Sequence, residues 1–289
     1  MNLQDLYRQG VGALQGQEGE ADAELDCLFF LSHLLDLPRA QLFLADHLPS
    51  AAQINAFNDF IRRRLHHEPL AYIIGEQEFW SRTFLVNPSV LIPRPETEIL
   101  VEEVLAHIPH PLEFSGLILD LGTGSGILPV TLALELPQAR FCAVDLSAAA
   151  LKVAQQNCQG HGVAARVDLV QSRWQSGLRK APLFDMIVSN PPYVDPDTYK
   201  DLQADVVDFE PQLALDGGER GRAVMASFCP GITSYLRPGG WFFMEIGYDQ
   251  QEYATSLLQR DKQFTNISVR RDYAALARVV MARKRFEDE

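Results

Sequence analysis

A buried strand that runs into a glycine-rich turn and then into a helix constrains the fold of this chain most. Apolar residues at 116–121 predict the strand, and residues 127–136 have the pattern of a helix. Glycines permit positive φ angles and let a ligand touch the backbone, while a helix start offers N–H groups. The G-x-G-x-G spacing differs from the G-x-G-x-x-G of dinucleotide sites. The candidate nucleotide-binding turn consists of Gly122, Thr123, Gly124, Ser125 and Gly126.

Three further predicted strands, at 140–145, 166–171 and 184–189, are each followed by a residue suited to ligand binding. The first of them ends in Asp145, which can accept both hydroxyls of a ribose. Trp174 follows the second and either covers an adenine face or closes the edge of the core. Because ligands of parallel sheets bind outside the carboxyl ends of strands, these residues and Asn190 predict one site.

The segment Asn190, Pro191, Pro192, Tyr193 ends the last of these strands. Both prolines fix φ and forbid further sheet pairing, so the chain must leave the sheet at Asn190. An amide oxygen and a fixed backbone carbonyl could hold both hydrogens of a planar amino group, with Tyr193 packed on its flat side. Alone, an Asn-Pro-Pro sequence is more simply a strand end before a loop. The motifs upstream favour a site.

The first part of the chain has the apolar spacing of four or five short helices, from Leu3 to about Ile74. It contains no acid pair, nucleophile or metal cluster that suggests catalysis. Alternation over 76–86 predicts a β-hairpin, and Pro95 opens a helix that runs to about Ala106. We predict three segments: a helical substrate-recognition domain at 1–75, a β-hairpin linker at 76–95, and the main domain at 96–289.

The last third of the chain predicts an acidic loop from Asp195 to Phe209, followed by an ordered return to the sheet. Glu210 in that return is an ion-paired anchor or a substrate contact, and the anchor is the simpler interpretation. A helix interrupted near Pro230 is expected over 219–236. A fifth strand, a helix and an antiparallel pair then close the domain, at 241–246, 250–259, 267–270 and 276–282.

Net charge, cysteine spacing and the lengths of apolar runs limit the classes of protein to which this chain can belong. The formal net charge is −13, whereas a free-standing nucleic-acid binder usually has a basic face, so a protein or small-molecule substrate is favoured. The four cysteines lie far apart without metal-ligand spacing, which indicates thiols in a reducing compartment and no metal site. The N-terminus lacks a signal-peptide core, and no apolar run approaches the roughly 18 residues of a membrane span. These features predict a cytoplasmic enzyme.

The motifs together resemble the class I S-adenosylmethionine methyltransferases, and more closely the HemK/PrmC family, which methylates a glutamine side-chain nitrogen in peptide chain release factors. The resemblance covers nearly the whole chain. It implies an α/β fold: a Rossmann-like, mostly parallel seven-stranded sheet with a small N-terminal helical bundle joined by a β-hairpin. The segments that carry it are 70–75, Phe79-Trp80, 92–98, 120–126, Asp145, 190–193 and 209–211.

The resemblance also implies roles for individual residues. S-adenosyl-L-methionine would be held by Gly122, Thr123, Gly124, Ser125, Gly126, Asp145 and Asn190, with Trp174 beside the adenine. Asn190, Pro191, Pro192 and Tyr193 would hold the substrate glutamine, which in the family is that of the GGQ motif. Release factors would be the protein partners, and we expect a monomer without direct nucleic-acid or membrane partners.

The sequence departs from the family pattern at some positions, and several alternative functions stay open. Arg173 stands where relatives commonly carry Asp, and Leu128-Pro129 replace the usual small and β-branched residues. The same site suits glutamine methylation of a ribosomal protein. It also suits amino-methylation of a nucleobase in DNA or RNA, because an exocyclic amine is similarly planar. A non-catalytic cofactor-binding module is a further alternative, against which the intact 190–193 segment argues.

Overall fold

A seven-stranded sheet forms the centre of the main domain. The computed structural model of the chain describes residues 2–44 and 48–286. The strand order is β5-β4-β3-β6-β7-β9-β8, parallel from β5 to β7, with β9 and β8 antiparallel at the far edge. The predicted class I methyltransferase fold is confirmed. The strands are β3 Leu117–Leu121, β4 Arg140–Asp145, β5 Val167–Gln171, β6 Phe184–Ser189, β7 Leu236–Glu245, β8 Phe264–Arg271 and β9 Ala277–Lys284.

Both faces of the sheet are buried, as expected of parallel strands covered by helices. Successive residues of β3 point to opposite faces: Ile118 packs with one core cluster, whereas Leu119 and Leu121 pack with the other. One cluster includes buried residues of α5 and α6, and the other includes those of α10 and α11. These helices and α7 have the bounds α5 Glu98–Ala106, α6 Ile127–Glu135, α7 Ala148–Gly160, α10 Ala223–Phe228 and α11 Gln251–Arg260.

The chain divides into two compact units. One comprises the chain up to Glu76 together with Gln203–Phe209, and the other comprises Gln77–Leu202 and the chain from Glu210 onward. In the helical unit, Asn2 and Ser50 cap the starts of α1 and α3. Its core holds Leu14, Leu31 and the stacked rings of Phe30 and Phe60, whose centroids lie 4.2 Å apart. The predicted bundle is confirmed as α1 Leu3–Glu18, α2 Glu20–Leu35, α3 Ala51–Arg64, α4 Leu70–Ile74 and a 3-10 turn at Arg39–Gln41.

The predicted hairpin is present as a two-stranded sheet of β1 Glu76–Phe79 and β2 Arg82–Leu85. Trp80 and Ser81 form the turn between the strands with positive φ angles of 53° and 54°. A 3-10 turn at Pro95–Thr97 then leads into α5, with Pro95 at its first position, as predicted.

Two expectations about the last third of the chain are wrong. The predicted acidic loop contains a 3-10 segment, Pro196–Asp201, and the helix α8, Ala204–Phe209, followed by α9, Gln212–Leu215. The helix predicted over 219–236 with one interruption near Pro230 is three short pieces. The expected break lies at Gly231, but Arg220 adds a second break with a positive φ angle, and β7 begins at Leu236.

Candidate active site

A cavity of about 440 Å³ lies at the carboxyl ends of the parallel strands. This volume is in the range of small-molecule and cofactor sites. Sequence-predicted residues that line it are Gly122, Thr123, Gly124, Ser125, Asp145, Trp174, Asn190 and Pro192. Gly126, Pro191 and Tyr193 are not among the described residues that line it. The strand order explains the convergence, because β4, β3 and β6 are neighbours and deliver Asp145, the glycine turn and Asn190 to one edge.

The glycine turn is fixed by its neighbour strand. The Gly122 and Thr123 amides both donate to the Val144 carbonyl, at 2.8 and 3.0 Å. Gly122 has a φ of 80°, which side chains rarely adopt, and a Cβ built there would lie 3.5 Å from the Trp174 ring. Gly126 serves the packing of helices instead. A Cβ on it would lie 3.1 Å from that of Ala154, so this glycine lets α6 pack closely on α7.

Asp145 joins the glycine turn to the start of α7. One carboxylate oxygen accepts from the Gly124 amide at 2.9 Å, and the other accepts from the Ser147 amide at 2.8 Å. Burial raises the pKa of this carboxyl, and the backbone hydrogen bonds lower it. A carboxylate has about four acceptor positions, so one on each oxygen stays available for hydroxyls of a ligand.

Trp174 presents its indole to the cavity from the 3-10 turn Trp174–Gly177. The indole stacks on the Phe228 ring with centroids 4.6 Å apart and an interplanar angle of 22°. Phe228 therefore covers one face of the indole and fixes its plane. Trp174 thus packs against the hydrophobic core, as one of the two interpretations from the sequence expects, and it also lines the cavity. Arg173, the departure from the family pattern, also lines the cavity.

Asn190 follows the end of β6, and its side chain is held from one side. Its Nδ2 donates to the Thr97 hydroxyl at 3.0 Å. The carbonyl end of the amide is therefore directed away from Thr97. Pro191 is buried, and the Tyr193 hydroxyl donates to the Glu245 carboxylate at 3.2 Å.

Two fully buried acids accompany the site and were given no role by the sequence. Asp120 precedes the glycine turn and Glu245 ends β7, and burial raises the pKa of each to about 7. Among the described residues, neither oxygen of Asp120 and only Oε1 of Glu245 makes a close hydrogen bond. Both residues could have been noticed in the sequence, because each places a carboxyl in an otherwise apolar strand. Burying a charge without a partner is costly, so such a carboxyl suggests a functional role.

The residues around the glycine turn fit a cationic, nucleoside-containing cofactor. Asp120 lies two residues before Gly122, and the oxygens of its buried carboxyl have no close hydrogen-bond partner among the described residues. A positively charged ligand near the turn would favour its ionised form. Asp145 and Trp174 provide, in the same cavity, an acceptor for ribose hydroxyls and an aromatic surface for a base.

The described part of the chain lacks two other classes of functional feature. Within residues 2–44 and 48–286, no cluster of three or more His, Cys, Asp or Glu side chains has a metal-binding arrangement. Over the same ranges, none of the helices has both the length and the apolar character that a membrane span requires.

Comparison with known proteins identifies the family. Residues 5–75 match the PrmC N-terminal domain, and residues 95–219 match the methyltransferase small domain. The release factor glutamine methyltransferase of Koribacter versatilis is 42% identical, with 98% of this chain and 99% of the relative aligned. That of Moorella thermoacetica is 44% identical over 98% and 96%.

A solved structure gives the same fold. A methyltransferase from Pyrococcus furiosus matches with a TM-score of 0.53 and 16% identity, over 79% of this chain and all of that one. At this identity the likeness concerns the fold alone. Identity near 40% over almost the full length of the relatives concerns the family, and the two matched domains lie in the order of the predicted segments. The chain therefore belongs to the family of release factor glutamine methyltransferases.

Proposed function

We propose that this protein transfers a methyl group from S-adenosyl-L-methionine to the side-chain amide nitrogen of a glutamine in peptide chain release factors. The observation that carries the proposal is the orientation of the Asn190 side-chain amide. Its donor end is bound to Thr97, so its acceptor end is available to the cavity that the glycine turn and Asp145 also line. An acceptor at that place suits a planar –NH₂ group, which has two hydrogens to donate.

The residues that would hold the cofactor line the cavity at and beside the glycine turn. The backbone of Gly122 to Ser125, which lines the cavity, would contact the cofactor closely. Asp145 would accept from the ribose, and Trp174 would lie beside the adenine. When bound, S-adenosyl-L-methionine supplies an electrophilic methyl group on a sulfonium. Support comes from the buried Asp120 carboxyl two residues before Gly122, whose oxygens make no close hydrogen bond to the described residues.

The residues at the end of β6 would make the glutamine amide reactive. An amide nitrogen is a poor nucleophile because its lone pair is delocalised into the carbonyl. Hydrogen bonds from its two N–H groups to Asn190 Oδ1 and the Pro191 carbonyl would orient the nitrogen and stabilise the positive charge that develops on it. The proton becomes acidic only as the nitrogen is methylated, so no strong general base is needed.

The helical unit formed by the chain up to Glu76 with Gln203–Phe209 would recognise the release factor. It has a compact core of its own, built around Phe57 and Phe60, and a core of this kind supports a rigid binding surface. Release factors act in translation termination, so the enzyme would work in the cytoplasm. The absence of metal-ligand spacing around the cysteines agrees with a reducing compartment.

The proposal is tested with purified protein, tritiated S-adenosyl-L-methionine and four separate substrates: release factor, ribosomal protein, DNA and RNA. We expect label in the release factor alone, on one peptide that contains the substrate glutamine. A release factor in which that glutamine is replaced by glutamate is the matched control and should stay unlabelled. Label in the ribosomal protein or a nucleic acid, with none in the release factor, would overturn the proposal.

A further inference from the structure

An asparagine amide can serve the proposed reaction in only one of its two orientations. Rotation by 180° about χ2 exchanges its oxygen and nitrogen, so a flipped Asn190 would present N–H groups to the N–H groups of the substrate. The observed orientation directs Nδ2 to the Thr97 hydroxyl, across 93 residues of sequence. Thr97 itself is fully buried, in the 3-10 turn before α5. The orientation of Asn190 therefore depends on which hydrogen-bonding role Thr97 adopts.

A threonine hydroxyl can either donate or accept, and the neighbourhood of Thr97 decides between the two. In the structure the Thr97 oxygen is the acceptor for Asn190 Nδ2, at 3.0 Å, so the Thr97 hydroxyl proton is directed away from Asn190. The nearby Glu245 carboxyl is fully buried and accepts from the Tyr193 hydroxyl at 3.2 Å.

The sheet register explains why these groups meet. Ser189 of β6 pairs with Met244 of β7, so Asn190 and Glu245 each lie one residue beyond that pair at the carboxyl edge. Arg278 on β9 contributes positive charge near the Glu245 carboxyl, whereas Glu96 opposes ionisation. Arg278 also pairs with Asp272 at 3.0 Å. The carboxyl thus accepts from the loop that carries Tyr193, and charges on β9 and in the Pro95–Thr97 turn act on its pKa.

We propose that Thr97 is a positioning residue: its hydroxyl oxygen accepts from Asn190 Nδ2 and so keeps the Asn190 carbonyl oxygen toward the cavity. The inference rests on the proposed function only for the identity of the group that meets Asn190. The orientation of the Asn190 amide is a property of the protein alone.

The decisive variants are Thr97→Val, which keeps the shape and removes the hydroxyl, and Thr97→Ser, which keeps the hydroxyl. We expect Thr97→Val to lower kcat for release factor methylation about 30-fold, in the range found when a positioning contact is lost. KM for the release factor and Kd for S-adenosyl-L-methionine should stay within about threefold, since Thr97, although it lines the cavity, would act through Asn190. Thr97→Ser should restore most of kcat.

A matched control exists in α6. Thr131 is also fully buried, and its hydroxyl makes no hydrogen bond to the described residues. Thr131→Val removes the same atom from the core of the same unit and should leave kcat unchanged. Thermal melting of all variants checks that each is folded. A wild-type kcat in Thr97→Val, or an equal loss in Thr97→Val and Thr97→Ser, would overturn the positioning role.

A measurement without substrate separates this inference from the proposed function. In ¹⁵N-labelled protein, the side-chain amide resonances of Asn190, assigned by their loss in Asn190→Ala, report the hydrogen bond from Nδ2. We expect them to shift in Thr97→Val and to stay in place in Thr97→Ser and Thr131→Val. Unshifted resonances in Thr97→Val would overturn the inference even if release factor is methylated. Absence of methylation by the wild type, with the expected shifts, would overturn the proposed function alone.

Discussion

Arg94 and Glu210 form an ion pair across 116 residues of sequence and join two segments of the cavity wall. The Glu210 carboxylate also accepts from the Ile92 amide at 3.1 Å. Arg94 lines the cavity, and so does Pro211, which follows Glu210. The interpretation of Glu210 as an ion-paired anchor is confirmed. Its side chain is 1% exposed and that of Arg94 is 32% exposed, so the pair is largely shielded from water.

Replacing Glu210 by Ala should destabilise the unit that contains the sheet. The change leaves the Ile92 amide and the Arg94 guanidinium without this acceptor, and we expect a loss of about 2 kcal/mol in the free energy of unfolding. Urea denaturation followed by tryptophan fluorescence measures it, because Trp80, Trp174 and Trp241 all lie in this unit. Asp168→Ala is the control: the Asp168 side chain is 71% exposed and lies 3.9 Å from Arg140, and such pairs contribute little. Equal midpoints for the two variants would contradict the anchor role.

Asn190→Ala should abolish methyl transfer and leave cofactor affinity largely intact. The variant removes the acceptor for the substrate amide, so we expect kcat to fall at least about 100-fold, as for other single groups that stabilise developing charge. Kd for S-adenosyl-L-methionine, from isothermal titration calorimetry, should stay within about threefold. An unchanged kcat in a folded variant would remove Asn190 from the catalytic site.

Asp145→Ala should instead weaken cofactor binding. The carboxylate holds the Gly124 and Ser147 amides at 2.9 and 2.8 Å, and it would also accept from the ribose. We expect Kd to rise more than about tenfold, which corresponds to roughly 1.4 kcal/mol. Asp168→Ala, an acid lost from the adjacent strand β5 but away from the cavity lining, serves as control and should bind as the wild type does. Equal affinities for the two variants would show that Asp145 is not part of the cofactor site.

The sequence predicted the parts of the fold whose signal is local. The apolar residues of β3 and β6 and the glycines between strand and helix identify the sheet edge, because buried parallel strands and tight turns need those residue types. Helix α8 was missed because its sequence, Ala204–Phe209, is only six residues long and contains Val and Asp, which are weak helix formers. In the helix predicted over 219–236, the interruption expected near Pro230 is present at Gly231. The second break, at Arg220, was not predicted, because residues other than glycine rarely adopt the positive φ angle found there.

The contacts that orient the site could not be predicted from spacing. Thr97 and Asn190 are 93 residues apart, and Tyr193 and Glu245 are 52 apart. Each pair meets only because the Pro95–Thr97 turn and the ends of β6 and β7 converge at one edge of the sheet. The residue types gave a partial signal, since Asp120 and Glu245 are carboxyls within apolar strands. Which group each would face depends on strand order and register, and these are properties of the tertiary structure.

The buried acids predict an unusual dependence of stability on pH. Burial raises the pKa of Asp120 from 3.8 to about 7. The unfolded chain releases this proton near its ordinary pKa, whereas the native protein keeps it until about pH 7. Between these values the native state binds more protons, so the stability contributed by Asp120 is fully present below pH 3.8 and is lost as pH rises through about 7.

Asp120→Asn should remove this dependence, because asparagine resembles the protonated acid and does not titrate. We expect the variant and the wild type to have similar free energies of unfolding only below about pH 4, where Asp120 is protonated in both the native and the unfolded state. Near pH 8 the variant should be more stable by an amount on the order of 4 kcal/mol, since each pKa unit corresponds to about 1.4 kcal/mol. Urea denaturation at several pH values, without cofactor, measures both curves. Glu245, whose pKa is raised from 4.5 to about 7, stays in both proteins and leaves a residual slope. Parallel curves would mean that Asp120 ionises in the native state at its ordinary pKa and has a partner that compensates for its burial.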